Sequence, residues 1–384
     1  MIYLDHAATT PILPDVVKAV QPWLTPERVG NASSIHTQGI NARRAVERAR
    51  AQVAHLIGAN PSEVFFTSGG TESNNIWLSS VEPCVVSPTI ILTTPLEHHS
   101  VLEPIKEKKR LGVCEKEIHV YNNGVVDLDD LERNLSEHQF NIKAVSVMWV
   151  NNELGTINPI EDIGLICKKY GVPFHTDAVA AAGHIPIDVH ACHVDFLSLS
   201  GHKFGALQGV GALYIANHIP KHPLLFGGGQ ESGVRPGTEN IPGIVALGEA
   251  AEIAKRDMAS NLIAWEVLRT RFIKRLESSM SGQFQVNGGD RVSPNIISLT
   301  IPGVNSESLL LKLDADGIQV SAGSACSASA HAVSHVLAGI GMQDELASST
   351  LRISMGVSTT EEDMIATADM IAKHSEWLKS LWEV

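Results

Sequence analysis

Short apolar runs at positions 64–66, 90–92, 144–149, 174–177, 196–199 and 211–215 alternate with longer stretches, such as 43–57, 101–111 and 160–170, in which apolar residues recur at helical spacing. This alternation predicts a mostly parallel β-sheet flanked by helices. In open parallel sheets ligands collect beyond the carboxyl ends of the strands, so polar residues that follow an apolar run deserve more weight than those that precede one. From 243 to 280 the chain is nearly free of Gly and Pro, which predicts a long helix bridging to a second, smaller unit. In that unit 284–286, 296–301 and 351–354 read as strands, and 307–313, 332–337 and 361–378 as helices, an α+β pattern.

Length supports the division, because 384 residues exceed the size, about 250–300, at which a single core stops growing. A hydrophobic content of 44% is ample for two cores, and the formal net charge of −13 suggests no broad basic surface for nucleic acid or an anionic membrane. An acidic protein partner would need a local basic patch. Five cysteines, Cys84, Cys114, Cys167, Cys192 and Cys326, are odd in number and contain no CxxC pair, which argues against a disulfide framework or a zinc knuckle and for a reducing, cytoplasmic location. Asp5 and His6 interrupt the first apolar run, so no signal peptide is expected, and no stretch reaches the roughly 18 apolar residues of a membrane span. The cluster from His190 to Asp195 is too compact for a zinc site, and no metal is expected.

Three segments carry candidate chemistry. Ser200-Gly201-His202-Lys203 closes an apolar run, which fits either a strand exit with a solvated lysine or a lysine that holds pyridoxal 5'-phosphate as a Schiff base. His175-Thr176-Asp177 ends another run, where the aspartate can cap the next helix or pair with a pyridinium nitrogen and keep it protonated. Thr67-Ser68-Gly69-Gly70-Thr71 passes from a strand through two glycines into a helical pattern, a turn whose free N–H groups and helix dipole suit a phosphate. Together Lys203, Asp177, Gly70 and Thr71 supply partners for the aldehyde, ring nitrogen and phosphate of one cofactor. That convergence makes pyridoxal 5'-phosphate the expected cofactor.

Around these segments the sequence resembles the cysteine desulfurases of the class V aminotransferase group, over nearly the whole chain. The matching motifs are Tyr3 to Pro11, Gly30 to His36, Thr67 to Asn75, Glu97-His98, Val150 to Gly155, His175 to Asp177, Ser200 to Lys203, Arg235 to Asn240, Ser321 to Cys326 and Leu351 to Gly356. The resemblance implies a fold-type I pyridoxal-phosphate enzyme. Its large domain, 13–258, would hold a mostly parallel seven-stranded sheet. Its small α+β domain, 1–12 with 259–384, would carry the cysteine loop. It implies that Lys203 binds the cofactor, that Cys326 takes sulfur from L-cysteine as a persulfide, and that His98 stacks on the ring and shuttles protons. Ser200, His202 and Thr71 would donate to the phosphate, Asn152 would contact ring and substrate, and Arg352 would grip the substrate carboxylate with its planar fork. Thr238 resembles a residue that reaches the phosphate of a neighbouring subunit, which implies a homodimer. Sulfur would pass to an acceptor protein, in iron-sulfur cluster assembly, tRNA thiolation or DNA phosphorothioation. A selenocysteine lyase, another aminotransferase, or a scaffold without turnover are the alternative readings.

Two departures from the family pattern stand out. Ala180 occupies a position where the family places a glutamine that donates to the cofactor's phenolic oxygen. The loop from Phe204 to Gly209 lacks the usual proline and lysine.

Overall fold

The computed structural model describes residues 1–84, 87–138, 141–322 and 333–381. Its strands are β1 (Ile2–Tyr3), β2 (Val64–Thr67), β3 (Thr89–Thr93), β4 (Val113–Glu117), β5 (Ile142–Ser146), β6 (Phe174–Asp177), β7 (Phe196–Ser200), β8 (Gly211–Ile215), β9 (Gln285–Val286), β10 (Ile296–Thr300), β11 (Ile318–Gln319) and β12 (Thr350–Ser354). The helices are α1 (Pro14–Val20), α2 (Thr37–Ile57), α3 (Gly70–Ser79), α4 (His99–Lys108), α5 (Leu128–His138), α6 (Ile160–Tyr170), α7 (Ile241–Met280), α8 (Ser306–Ala315), α9 (His335–Gly339), α10 (Asp344–Ala347) and α11 (Glu361–Ser380).

Seven strands form the main sheet in the order β2-β8-β7-β6-β5-β3-β4. Only β8 runs against its neighbours, so β2 and the five strands from β7 to β4 all point the same way. Every residue of β6, β7 and β8 is buried, because helices cover both faces, and this explains why these strands read as apolar runs rather than as alternations. The order reverses between β3 and β5, which opens a crevice at the carboxyl ends of the strands.

A second core gathers around β10 and β12, with Trp265, Phe272, Leu309, Ile353 and Ile371, and Leu4 from the N-terminus packs into it. Helix α7, 40 residues long, serves both cores. Its first half presses against α2 so closely that a Cβ on Gly248 would meet the Cα of Ala49 at 2.6 Å. Its second half supplies Trp265 to Met280 to the other core.

The expected strand at 144–149 starts earlier and ends at Ser146, after which Val147 and Trp149 bond the carbonyls of His175 and Asp177 outside a regular ladder. The expected helix at 332–337 begins only at His335, because the Ser334 hydroxyl accepts from the N–H groups of Val336 and Leu337 and caps it there; residue 332 lies outside the described residues. Strand β4 and helix α5 escaped the hydrophobic pattern, since β4 is an edge strand with Glu115, Lys116 and Glu117 and α5 buries one narrow stripe.

Candidate active site

Strand ends deliver the site. Asp177 is the last residue of β6, Ser200 ends β7 with Lys203 one turn beyond, Thr71 opens α3 after β2, and His98 caps α4 after β3. Asn152 follows β5, and Arg352 comes from β12 of the other core. All of them, with Gly70 and His202, line one cavity of about 320 Å³. Of the residues singled out from sequence, Thr238 does not line it and is exposed in the single chain, while Cys326 lies outside the described residues.

Asp177 is held on both oxygens. Its Oδ1 accepts the Val179 N–H at 2.9 Å, and its Oδ2 accepts Asn74 Nδ2 at 2.7 Å. The same Asn74 nitrogen donates to the Ser100 hydroxyl at 2.8 Å, which lies 2.7 Å from His98 Nδ1. His98 Nδ1 also accepts the Ser100 N–H at 3.0 Å, so the neutral ring carries its proton on Nε2. Burial pushes the His98 pKa down, partly opposed by the Asp177 carboxylate, and favours this neutral form. A buried chain therefore links the carboxylate of β6 to the imidazole of α4.

Lys203 Nζ donates to the carbonyls of Ala7 and Ala8, at 2.7 and 2.9 Å. His202 Nδ1 lies 3.1 Å from the Thr9 hydroxyl, and burial together with the Lys203 charge pushes its pKa down to about 4. Glu97, fully buried, accepts from the Met148 N–H and the Thr94 hydroxyl through Oε1, and burial lifts its pKa to about 8. At neutral pH it is chiefly protonated.

Arg352 is 4% exposed, with Nη2 on Asp5 at 2.8 Å and Nη1 on the Asn152 carbonyl at 3.1 Å. Among the described residues its Nε is buried without a hydrogen-bond partner.

The phosphate turn is shaped by steric necessity. Gly69 sits at φ 152°, ψ −177°, a region essentially restricted to glycine, and a Cβ on Gly70 would meet the Val179 side chain at 2.5 Å. The first N–H groups of α3 have no helical acceptor and meet the positive end of the helix dipole. A glycine cradle, a buried carboxylate, a lysine and a guanidinium side chain on one cavity match the phosphate, ring nitrogen, aldehyde and amino-acid carboxylate of a pyridoxal-phosphate site.

The loop after β8 clamps this turn from two sides. Arg50 makes a double ion pair with Glu231, both contacts at 2.7 Å, and Glu231 also accepts the Phe66 N–H of β2 at 2.7 Å. Arg235 pairs with Glu72 at 2.9 Å, and Glu72 in turn accepts the Ser68 N–H. Glu231 and Ser232 take φ values of 46° and 54°, a strain held in place by these bonds. Glu231→Ala is expected to destabilise the fold by about 1–3 kcal/mol, because it leaves the buried Phe66 N–H without its acceptor and the half-buried Arg50 with only Glu47 and the Val64 carbonyl. A urea midpoint equal to that of the wild type would contradict this.

Sequence reasoning passed over several residues of the cavity and its support. His335 reaches the cavity wall from α9, with Nε2 2.9 Å from the Glu97 carbonyl and its ring 4.5 Å from that of His99. Asn74 lies within the Thr67 to Asn75 motif and Ser100 two residues beyond His98, yet nothing in their spacing signals the link between Asp177 and His98. Ala180 lines the cavity and contributes no polar side-chain atom.

Comparison with known proteins agrees with this geometry. The family model described as Aminotransferase class-V matches residues 2–366. The chain belongs to the class V aminotransferase family. Within it, the chain is 42% identical over 381 residues to a protein of Dictyoglomus turgidum named cysteine desulfurase IscS, covering 99% of this chain and 96% of that one. Among solved structures, a NifS-like protein superposes with a TM-score of 0.90 at 35% identity, covering 98% and 99% of the two chains. SspA in complex with cysteine superposes with a TM-score of 0.78 at 31% identity, covering 94% of this chain and 100% of that one. The fold is that of a fold-type I enzyme, and pyridoxal 5'-phosphate is the cofactor of this class V aminotransferase.

Proposed function

We propose that this enzyme is a cysteine desulfurase that converts L-cysteine to L-alanine and holds the released sulfur as a persulfide on Cys326. The observation that carries the reading is the single cavity in which Lys203, Asp177 and the Gly70-Thr71 turn meet Arg352. The names of the relatives support the choice of substrate.

In this reading Gly70, Thr71, Ser200 and His202 hold the cofactor phosphate, with Thr238 of a second copy completing it in a homodimer. Asp177 accepts from the ring nitrogen, and Asn152 contacts the ring and the substrate. When bound, pyridoxal phosphate supplies an electron sink for charge that develops at the substrate α-carbon. Arg352 receives the substrate carboxylate, while Asp5 and the Asn152 carbonyl keep the guanidinium in place. Lys203, steered by the Ala7 and Ala8 carbonyls, takes the α-proton. Neutral His98 carries a transferable proton on Nε2 and is tuned through Asn74 and Ser100. The Cys326 thiolate attacks the substrate sulfur; a sulfur–sulfur bond forms, the carbon–sulfur bond breaks, and its electron pair stays with the carbon that leaves, after protonation, as alanine. An unperturbed thiol of pKa about 8.5 is only a few per cent ionised at neutral pH, so deprotonation assisted by the site is part of this step. An acceptor protein then collects the persulfide sulfur in the cytoplasm.

Alanine and sulfide assayed together, with a thiol reductant, test the proposal. Equal amounts of both from L-cysteine are expected. Turnover of selenocysteine alone would replace the reading with that of a selenocysteine lyase, and turnover of neither would favour a scaffold.

A further inference from the structure

On the far face of α2, away from the sheet, Gln38, Asn41, Arg44, Arg48 and Gln52 recur at three- and four-residue spacing. They line a groove of about 490 Å³ that is closed on its other sides by Trp23 and Arg28, beyond α1, and by α7. Arg44 and Arg48 are exposed, and among the described residues neither pairs with a carboxylate, whereas Lys18, Lys106, Lys169, Arg271 and Arg275 all do. The Arg28 guanidinium lies over the Trp23 ring, 5.3 Å from its centroid. Among the described residues Glu249 is the single carboxylate on the lining. In a chain of net charge −13, three guanidiniums converging on one groove run against the character of the surface.

We propose that this groove is a docking surface for an acidic segment of a partner protein. Charge complementarity sets the sign and the length of the partner, since the arginines attract carboxylates at short range while the acidic remainder of the molecule repels any acidic chain that extends beyond the groove, which leaves a short acidic segment as the match. Composition sets the kind of partner, because Trp and Arg are the residues enriched at the energetic centres of protein interfaces, and the amide side chains of Gln38, Asn41 and Gln52 form a polar rim. The scaffold is preformed: α2 is a single helix of 21 residues, pinned against α7 where Ala49 and Gln52, both on the groove lining, meet Gly248. A nucleic acid fits poorly, because the basic area is confined to one groove and a long polyanion would meet the net negative charge beyond it. None of the groove residues lines the catalytic cavity, so the surface can be altered without touching the chemistry.

Fluorescence anisotropy of a labelled hexaglutamate peptide, titrated with the full-length, cofactor-loaded protein, tests the proposal. Saturable binding of one peptide per chain is expected, weakened by about tenfold or more in Arg44→Glu/Arg48→Glu. A control with the same change in net charge, Lys274→Glu/Lys373→Glu on the exposed faces of α7 and α11, is expected to bind as the wild type does. Both double variants should retain wild-type alanine formation, which separates a docking defect from a folding or catalytic one. Absence of saturable binding, equal weakening in both variants, or competition by inorganic phosphate at the peptide's own concentration would each overturn the proposal, the last by making the groove a small-anion site. A changed oligomeric state in the α2 variant alone would also overturn it, by assigning the groove to contact between copies of this chain.

Discussion

Lys203→Ala is expected to lower alanine formation from L-cysteine by about 10⁴-fold or more, the scale on which enzymes lose turnover when a group that bonds and moves protons is removed. Among the described residues Lys203 is the one lysine on the cavity lining, and two backbone carbonyls at 2.7 and 2.9 Å hold its ammonium in place. Nearby His98 and His202 are poor substitutes as covalent partners for an aldehyde, because an imidazole has no primary amine with which to form an imine. Steady-state alanine assays check the loss, and partial recovery with added methylamine would show that the missing amine, not a misfolded site, is responsible. A variant retaining more than about a tenth of wild-type turnover would remove Lys203 from the reaction.

Asp177→Asn is expected to cost roughly 10³-fold, the upper range for removing one electrostatic partner of a developing charge. Asparagine has nearly the same shape, so packing around β6 should persist and thermal stability should change little. What changes is charge: the ring nitrogen loses the anion that keeps it protonated, and Val179 N–H, held at 2.9 Å by a carboxylate oxygen, then faces an amide. The link through Asn74 and Ser100 carries the disturbance to His98, so the pH profile of alanine formation should move as well as its height. Asn74→Ala leaves the carboxylate in place and should shift the profile with a smaller loss. Equal and large losses in both variants, with unchanged pH profiles, would mean that the network serves structure alone.

Much of this site was legible in the chain because parallel strands covered on both faces are written as uninterrupted apolar runs, and the residues after each run stand at one edge. Asp177, Lys203 and the Gly70-Thr71 turn were readable on that logic. Arg352 was identifiable by resemblance, but its setting was not: Asp5, its partner, lies 347 positions away, and only the packing of Leu4 into the second core brings them together. The Glu231 clamp on β2 likewise depends on two left-handed residues that carry no glycine signal. His335 belongs to a short helix whose start is set by a serine cap rather than by periodicity. Thr238 is exposed in the single chain, consistent with a role that no one chain can display.

Persulfide formation on Cys326 is the central claim, and single-turnover alanine formation by Cys326→Ser tests it most directly. Enzyme in excess over L-cysteine should give stoichiometric alanine with the wild type and almost none with the variant, while both bind the cofactor with the same absorbance. Full alanine yield from Cys326→Ser would contradict sulfur transfer through that thiol.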